Sequence, residues 1–291
     1  MMMPFTSKIG GCPDCGAKYR RVSEKDQGRE TSGCLSVRTF PRFLDCPNLV
    51  HGVFTRLGGV SSPPFDSLNV GFSTGDEPSA VRENRSRILS WMGLSRAVFL
   101  NQVHGTEVLV LEKDREIDPN LFWTPDHPAS GTGLSADAVV TNLRQVTLVI
   151  QVADCQAVML ADPNKNVIAN VHSGWRGSIE NIIGRCVDVM IQRFGCDPRQ
   201  ILAGISPSLG PCCAQFIHYR KEIPEPLWGY KRPDQEYFDF WRMSVDQLRA
   251  KGLALKHISN MSECTRCRTD LFFSYRRAGN TGRFACGIGL T

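Results

Sequence analysis

The sequence predicts an α+β fold built as a single domain, and three observations lead there. Apolar runs at 146–152, 157–161 and 167–171 are bounded by turn-forming residues and read as buried strands. The last two flank Asp162-Pro163-Asn164-Lys165-Asn166, so they read as an antiparallel hairpin. Residues 178–194 place Ile179, Ile182, Ile183, Cys186, Val187, Met190 and Phe194 at helical spacing, with Ser178 as N-cap and Gly195 at the end.

At 291 residues, 42% hydrophobic and 22% charged, the chain is long enough to bury a sizeable core. No apolar run approaches a membrane span, and the start MMMPFTSKIGG lacks the apolar stretch of a secretory signal, so a cytoplasmic protein without membrane partners is expected. Residues 1–45 carry eight Lys/Arg against five Asp/Glu, so +3 of the net +5 lies there. The remainder has no basic stripe with interleaved aromatics, which argues against nucleic-acid binding. Without an export signal, the twelve cysteines point to metal binding or reactive thiols in preference to a disulfide framework.

Taken in order, residues 1–45 read as an N-terminal extension ahead of a domain at 46–291. Cys12-Pro13-Asp14-Cys15 is a C-x-x-C knuckle without a second half. A closed site from Cys12, Cys15, Cys34 and Cys46 competes there with a weakly ordered polar tail. Residues 50–55 read as a strand, followed by a Gly-, Ser- and Pro-rich loop at 56–71, long enough for either function or surface connection. Residues 78–92 read as a helix with Pro78 at its start and Gly93 after its end. Strands at 97–103 and 107–111 flank His104-Gly105, a ligand candidate that a structural role would equally explain. Residues 112–133 read as a polar surface loop, and 135–141 opens the central unit.

In the central hairpin, a loop at 163–166 pairs Asp162 with Val167 and sets His172 opposite Ala157. Cys155 then lies on the same face as His172, as its diagonal neighbour. A thiolate and an imidazole converging from adjacent strands make a metal half-site or a nucleophile–base pair. A buried Cys and a satisfied His sharing a face by chance is the third reading. Ser173-Gly174-Trp175-Arg176-Gly177, bracketed by glycines, is suited to bringing backbone close to a ligand. The start of the helix at 178 is an expected anion cradle, with Arg176 as an added contact. Further on, 201–205 reads as a strand, 206–213 as a rigid turn segment and 244–251 as a short helix. Cys264 and Cys267 form a second C-x-x-C, either a metal ligand pair or ordinary buried thiols.

These motifs form a recognisable series. Thr55-Arg56-Leu57-Gly58-Gly59-Val60-Ser61, Phe65-Asp66-Ser67-Leu68-Asn69, Glu83-Asn84-Arg85, Gln102-Val103-His104-Gly105, Ala136-Asp137 and Ala153-Asp154-Cys155 are followed by His172-Ser173-Gly174-Trp175-Arg176-Gly177 and Phe273-Ser274-Tyr275-Arg276-Arg277. In that order, over residues 46–291, they resemble the YfiH/laccase-domain (FAMIN-like) family of purine nucleoside phosphorylases. Departures are Ser173 where Ala is usual, Ser206 where Gly is usual and Ala278 where Asp is usual.

The resemblance implies a four-layer α/β/β/α sandwich with mixed β-sheets. It implies a zinc held by His104, Cys155 and His172 with an open fourth position, a site that copper can also occupy. It implies phosphorolysis of adenosine, inosine, guanosine and methylthioadenosine, and deamination of adenosine, so the expected partners are a purine nucleoside and phosphate. Arg56, Arg176 and the helix start at Ser178 are the expected phosphate contacts. Asp154 is the expected proton carrier, although strand parity points it to the other face unless the strand bends. A monomer or weak homo-oligomer is expected. Two further readings stay open: a Cys155–His172 amide hydrolase editing peptidoglycan precursors, and a metal- or redox-binding protein without catalysis. The family's historical label of laccase fails on counting, because a multi-copper centre needs on the order of ten imidazoles and the chain has six histidines.

Overall fold

Strand β1 (Val37–Arg38) and helix α1 (Pro41–Leu44) open the computed structural model, which describes residues 35–113, 115–127 and 134–291. Strand β2 (Leu49–Phe54), helix α2 (Pro78–Met92) and strands β3 (Arg96–Phe99), β4 (Val108–Leu111) and β5 (Ala138–Thr141) follow. The centre of the chain forms β6 (Val146–Val152), β7 (Gln156–Asp162), β8 (Val167–Ser173), α3 (Trp175–Ile179) and α4 (Ile182–Phe194). Strand β9 (Leu202–Ile205), α5 (Tyr219–Glu222), α6 (Phe240–Ala250), β10 (Ile258–Asn260), α7 (Tyr275–Ala278) and β11 (Phe284–Leu290) complete it.

The strands form two mixed sheets, ordered β1-β2-β11-β6-β3 and β10-β9-β7-β8-β5-β4. Side-chain parity shows how they stack. Leu148, Ile150 and Val152 of β6 and Cys286, Ile288 and Leu290 of β11 share one core cluster with Ala157, Met159 and Ala161 of β7. The alternate residues Val158 and Leu160 of β7 face Ile183, Cys186, Val187 and Met190 of α4 and Leu248 of α6. On the far side, Val149 and Ala285 pack with Ile88, Leu89 and Met92 of α2. The order is helix, sheet, sheet, helix, which is the expected α/β/β/α sandwich. It also explains the unbroken apolar runs, since strands covered on both faces lose the polar alternation of a half-exposed sheet.

The predicted hairpin is present in register: Asp162 pairs with Val167 and Ala157 with His172. Helix α2 runs between the predicted ends, with Pro78 in its first turn and Gly93 in the left-handed conformation, its N–H donating to the Leu89 carbonyl. Two expectations are corrected. The helix predicted over 178–194 is broken: Gly174 caps α3, and Asn181 at φ 58° caps α4 by accepting the Gly184 N–H at 3.0 Å. Ser178 is therefore no N-cap, and its hydroxyl instead donates to the Gly174 carbonyl at 3.0 Å inside α3. The boundary at residue 45 also moves. Strand β1 pairs with β2, and Phe40 and Phe43 lie in the core between the sheets at 2% and 1% exposure. Segment 35–45 thus belongs to the folded unit. Cys12, Cys15 and Cys34 lie outside the described residues. Among the described residues no helix is long and apolar enough to cross a membrane.

Candidate metal centre

Three residues separate β6 in one sheet from β7 in the other, and the last of them is Cys155. Asp154 makes the turn with φ at 88°. Its carboxylate accepts the Thr265 hydroxyl at 2.7 Å and the Arg276 N–H at 2.6 Å, and its carbonyl accepts the Leu209 N–H at 2.8 Å. Both carboxylate oxygens are engaged, so Asp154 fixes the turn that presents Cys155. The strand does bend there, which is why parity fails to predict the direction of Asp154.

His172 comes from the end of β8 and is buried at 3% exposure, whereas His104 sits exposed on the loop after β3 with φ at 61°. Their rings meet edge to face with centroids 4.8 Å apart. His104 Nε2 lies 3.9 Å from Cys155 Sγ, and the ligand atoms of His104, Cys155 and His172 all fall within 4.8 Å of one another.

Asp137, just before β5, organises both imidazoles. His172 Nδ1 donates to Asp137 Oδ1 at 2.7 Å, which leaves Nε2 for the centre. The backbone N–H groups of His104 and Gly105 donate to the same carboxylate at 2.9 and 2.7 Å. Burial alone would raise the Asp137 carboxyl, and the His172 ring with these amides outweighs it, holding the group below the usual range. Burial would likewise raise the Cys155 thiol, but His172 and a hydrogen bond from His104 bring it down to about 6. Against the cost of burial, the Cys155 thiolate and Asp137 push His172 up to about 9.

The donor set fits zinc: two imidazole nitrogens and a thiolate converge, and a carboxylate fixes one ligand's tautomer from behind. Gly174 supplies a further test of fit. A Cβ built there would lie 2.9 Å from His104 Cδ2 and 3.2 Å from Cys155 Sγ. The backbone therefore closes on His104 and Cys155 so tightly that a side chain at 174 would have to displace them.

A cleft of about 770 Å³ opens over His104, Cys155 and His172. Trp175, Phe216, Phe240 and Tyr275 give it aromatic walls, and Arg176, Arg276 and Arg283 bring positive charge. Arg176 stacks on Trp175 with its guanidinium carbon 4.2 Å from the ring centre. Arg276 donates from Nη1 to the Gln215 carbonyl at 2.8 Å. Burial lowers the Arg283 guanidinium, whose Nη1 donates to the Thr281 and Gly282 carbonyls at 2.9 and 3.0 Å.

Arg56 is not part of the cleft lining. Its guanidinium donates to the Asp66 and Thr269 carbonyls at 2.7 and 3.0 Å, pairs with the Asp66 carboxylate at 3.1 Å and stacks on Phe273. It thus ties the loop at 56–71 to the C-terminal segment, outside the cleft where a phosphate contact was expected of it. Arg276 and Arg283 are the cations that sequence reasoning missed. Arg276 stands in the Phe273-Ser274-Tyr275-Arg276-Arg277 motif but carries no local sign of its place. Asp137 was visible as a lone acid in the apolar run Ala136-Asp137-Ala138-Val139-Val140, a signal that a buried carboxylate has a partner.

Residues 50–291 match the family described as Multi-copper polyphenol oxidoreductase laccase. The chain belongs to the laccase-domain (YfiH) family. Among proteins of this family, purine nucleoside phosphorylase YlmD of Geobacillus stearothermophilus is 34% identical over 252 residues, 82% of this chain and 89% of its own. Purine nucleoside phosphorylase YfiH of Escherichia coli is 33% identical over 244 residues, covering 81% and 91%. The crystal structure of YlmD from Geobacillus stearothermophilus superposes with a TM-score of 0.74 at 31% identity, covering 86% of this chain and 94% of that one. The family's multi-copper description does not fit the histidines: two of the six stand at the centre, and His51 is committed in the core as acceptor of the Phe40 N–H at 2.7 Å.

Proposed function

We propose that this protein is a zinc-dependent purine nucleoside phosphorylase that also deaminates adenosine. The observation that supports this best is the convergence of His104, Cys155 and His172 at the foot of a cleft with aromatic walls and three arginines. A cleft of about 770 Å³ lies in the range that buries a nucleoside-sized ligand. Relatives bearing the name purine nucleoside phosphorylase over most of their length support the same reading.

In phosphorolysis a phosphate oxygen bonds to the anomeric carbon as the glycosidic bond breaks, and the proton of hydrogen phosphate balances the departing base. Arg176, Arg276 and Arg283 hold the phosphate, because arginine forks match its oxygens and are positively charged throughout. Trp175, Phe216, Phe240 and Tyr275 stack the purine and keep water from the anomeric carbon. Asp137 keeps His172 in one tautomer and orients the His104 loop. Zinc held by His104, Cys155 and His172 would supply Lewis acidity and a water of lowered pKa to the cleft. Asp154 acts here as a positioning carboxylate, with both oxygens engaged on Thr265 and Arg276.

The test follows purified protein with adenosine and phosphate by chromatography. Adenine that appears only with phosphate supports phosphorolysis, and inosine supports deamination. Cys155→Ala is expected to lower both by at least about a hundredfold, the scale of removing a metal ligand or its support. Absence of both products from zinc-loaded protein would overturn the proposal.

A second reading has one observation in its favour. The Cys155 thiol lowered to about 6 beside the raised His172, with Asp137 behind the ring, is also the arrangement of a cysteine–histidine hydrolase. That chemistry needs a free thiolate, so amide cleavage by zinc-free protein, stopped by added zinc, would select it.

A further inference from the structure

A second group of four cysteines lies outside the candidate centre, and none of them lines the cleft. Cys212 and Cys213 follow the Ser208-Leu209-Gly210-Pro211 turn, and Cys264 and Cys267 form the C-terminal C-x-x-C. The segments stand side by side: the Ser208 N–H donates to the Glu263 carbonyl at 3.1 Å, and the Thr265 N–H returns to the Ser208 carbonyl at 3.0 Å. All four sulfurs fall within 4.8 Å of one another. Cys267 Sγ stands 3.7 Å from Cys212 Sγ and 3.6 Å from Cys213 Sγ.

These separations decide between two chemistries. A disulfide holds its sulfurs at about 2.0 Å, far inside the distances seen. A tetrahedral ion with metal–sulfur bonds of about 2.3 Å sets its sulfurs about 3.8 Å apart, which the two measured pairs match closely. Four thiolates around a divalent ion leave net negative charge, and donors face it. The Gly210 N–H donates to Cys264 Sγ at 3.3 Å, and Arg266 Nη1 to Cys213 Sγ at 3.6 Å. Such donors to ligand sulfurs are the usual outer support of a thiolate site. Cys213 and Cys264 are buried, and Trp241 packs with the group, so it is shielded and suited to a closed structural site in place of an open catalytic one.

We infer that Cys212, Cys213, Cys264 and Cys267 bind a second, structural zinc, four-coordinate through sulfur. Its place in the fold gives it a task. Leu209 and Thr265, one on each bridged segment, both hold Asp154, the residue before Cys155. The ion staples together the two segments that fix the turn presenting a ligand of the first centre.

The test is metal analysis of full-length, zinc-loaded protein by mass spectrometry, beside two double variants. Cys264→Ser with Cys267→Ser is expected to lose one zinc per chain. His104→Ala with His172→Ala is expected to keep that zinc and to lose the other. With cobalt in place of zinc, the intense sulfur-to-metal absorption of a tetrathiolate should disappear only in the first variant. An unchanged metal content in Cys264→Ser with Cys267→Ser overturns the inference. Should that variant fail to fold, the wild-type chain decides by alkylation with peptide mapping. The four cysteines are expected to resist iodoacetamide with zinc and to react after a chelator. Equal labelling in both states, or recovery of a Cys267 disulfide with Cys212 or Cys213, overturns the inference equally.

Discussion

Gly174 approaches His104 and Cys155, Asp137 holds His172 and the His104 backbone, and substitutions at the two positions separate site from fold. Gly174 has φ −74°, a conformation open to any residue, so alanine strains no backbone. Its Cβ would instead press on His104 and Cys155, at 2.9 and 3.2 Å. Gly174→Ala is therefore expected to weaken metal binding by about ten- to a hundredfold, on the scale of about 1–3 kcal/mol for local overpacking, with little change in melting temperature. Competition with a chromophoric chelator measures the first quantity and calorimetry of the metal-free protein the second. Asp137→Asn replaces the carboxylate that accepts His172 Nδ1 and two backbone amides. Loss of such support costs about 10–100-fold in metal affinity, and the same competition should show it. An unchanged affinity in both variants would remove these three side chains as the metal centre.

The break between α3 and α4 is where local sequence and tertiary packing part company. Ile179, Ile182 and Ile183 keep helical spacing across it, so periodicity predicts one helix. In the structure Ile179 packs against the cluster that contains Phe216 and Phe238, whereas Ile182 and Ile183 belong to the cluster between α4 and the sheet. Asn181 makes the turn, in a left-handed conformation costly for most residues and as cap of α4. Asn181→Ala combines both penalties, about 2 kcal/mol in all. The melting temperature should then fall by about 4–8 °C, and a shift near zero would mean that α3 and α4 can straighten without cost. Elsewhere the elements were legible for physical reasons. The hairpin register followed from runs buried on both faces around a single turn, and α2 from Pro78 and Gly93 at its ends. Strand β1 and α1 escaped notice because their apolar residues are few and adjoin a charged tail. The approach of Cys155 to His172 was legible through the register. Arg176 was legible beside His172 in the same motif, whereas the other arginines were not, because their places depend on partners far along the chain: Arg56 is committed to Asp66 and Thr269, and Arg276 and Arg283 reach the cleft.

At the scale of the whole molecule, segment 35–45 closes the core between the sheets. Phe40 fills the space above Gly204 of β9, where a Cβ would lie 2.5 Å from its ring. Phe40 and Phe43 both pack against His51 of β2, at centroid distances of 5.8 and 4.9 Å. Loss of a buried phenylalanine costs about 3–5 kcal/mol. A chain starting at residue 46 should therefore be less stable in urea than one starting at residue 35 by about 5 kcal/mol or more. Equal stability would return segment 35–45 to the extension. His51 extends the argument to pH. Burial lowers its pKa from 6.5 to about 4, and its Nε2 accepts the Phe40 N–H. Between these values the unfolded chain binds more protons than the folded one, so folding weakens as pH falls from about 6.5 and the loss is complete near pH 4. A shift of this size corresponds to about 3 kcal/mol. His51→Gln keeps an acceptor near Phe40 but cannot titrate. Urea titrations across that window should show a shallower acid-side loss in the variant than in the wild type. Parallel pH profiles would mean that His51 protonates without opening the seam that Phe40 and Phe43 seal.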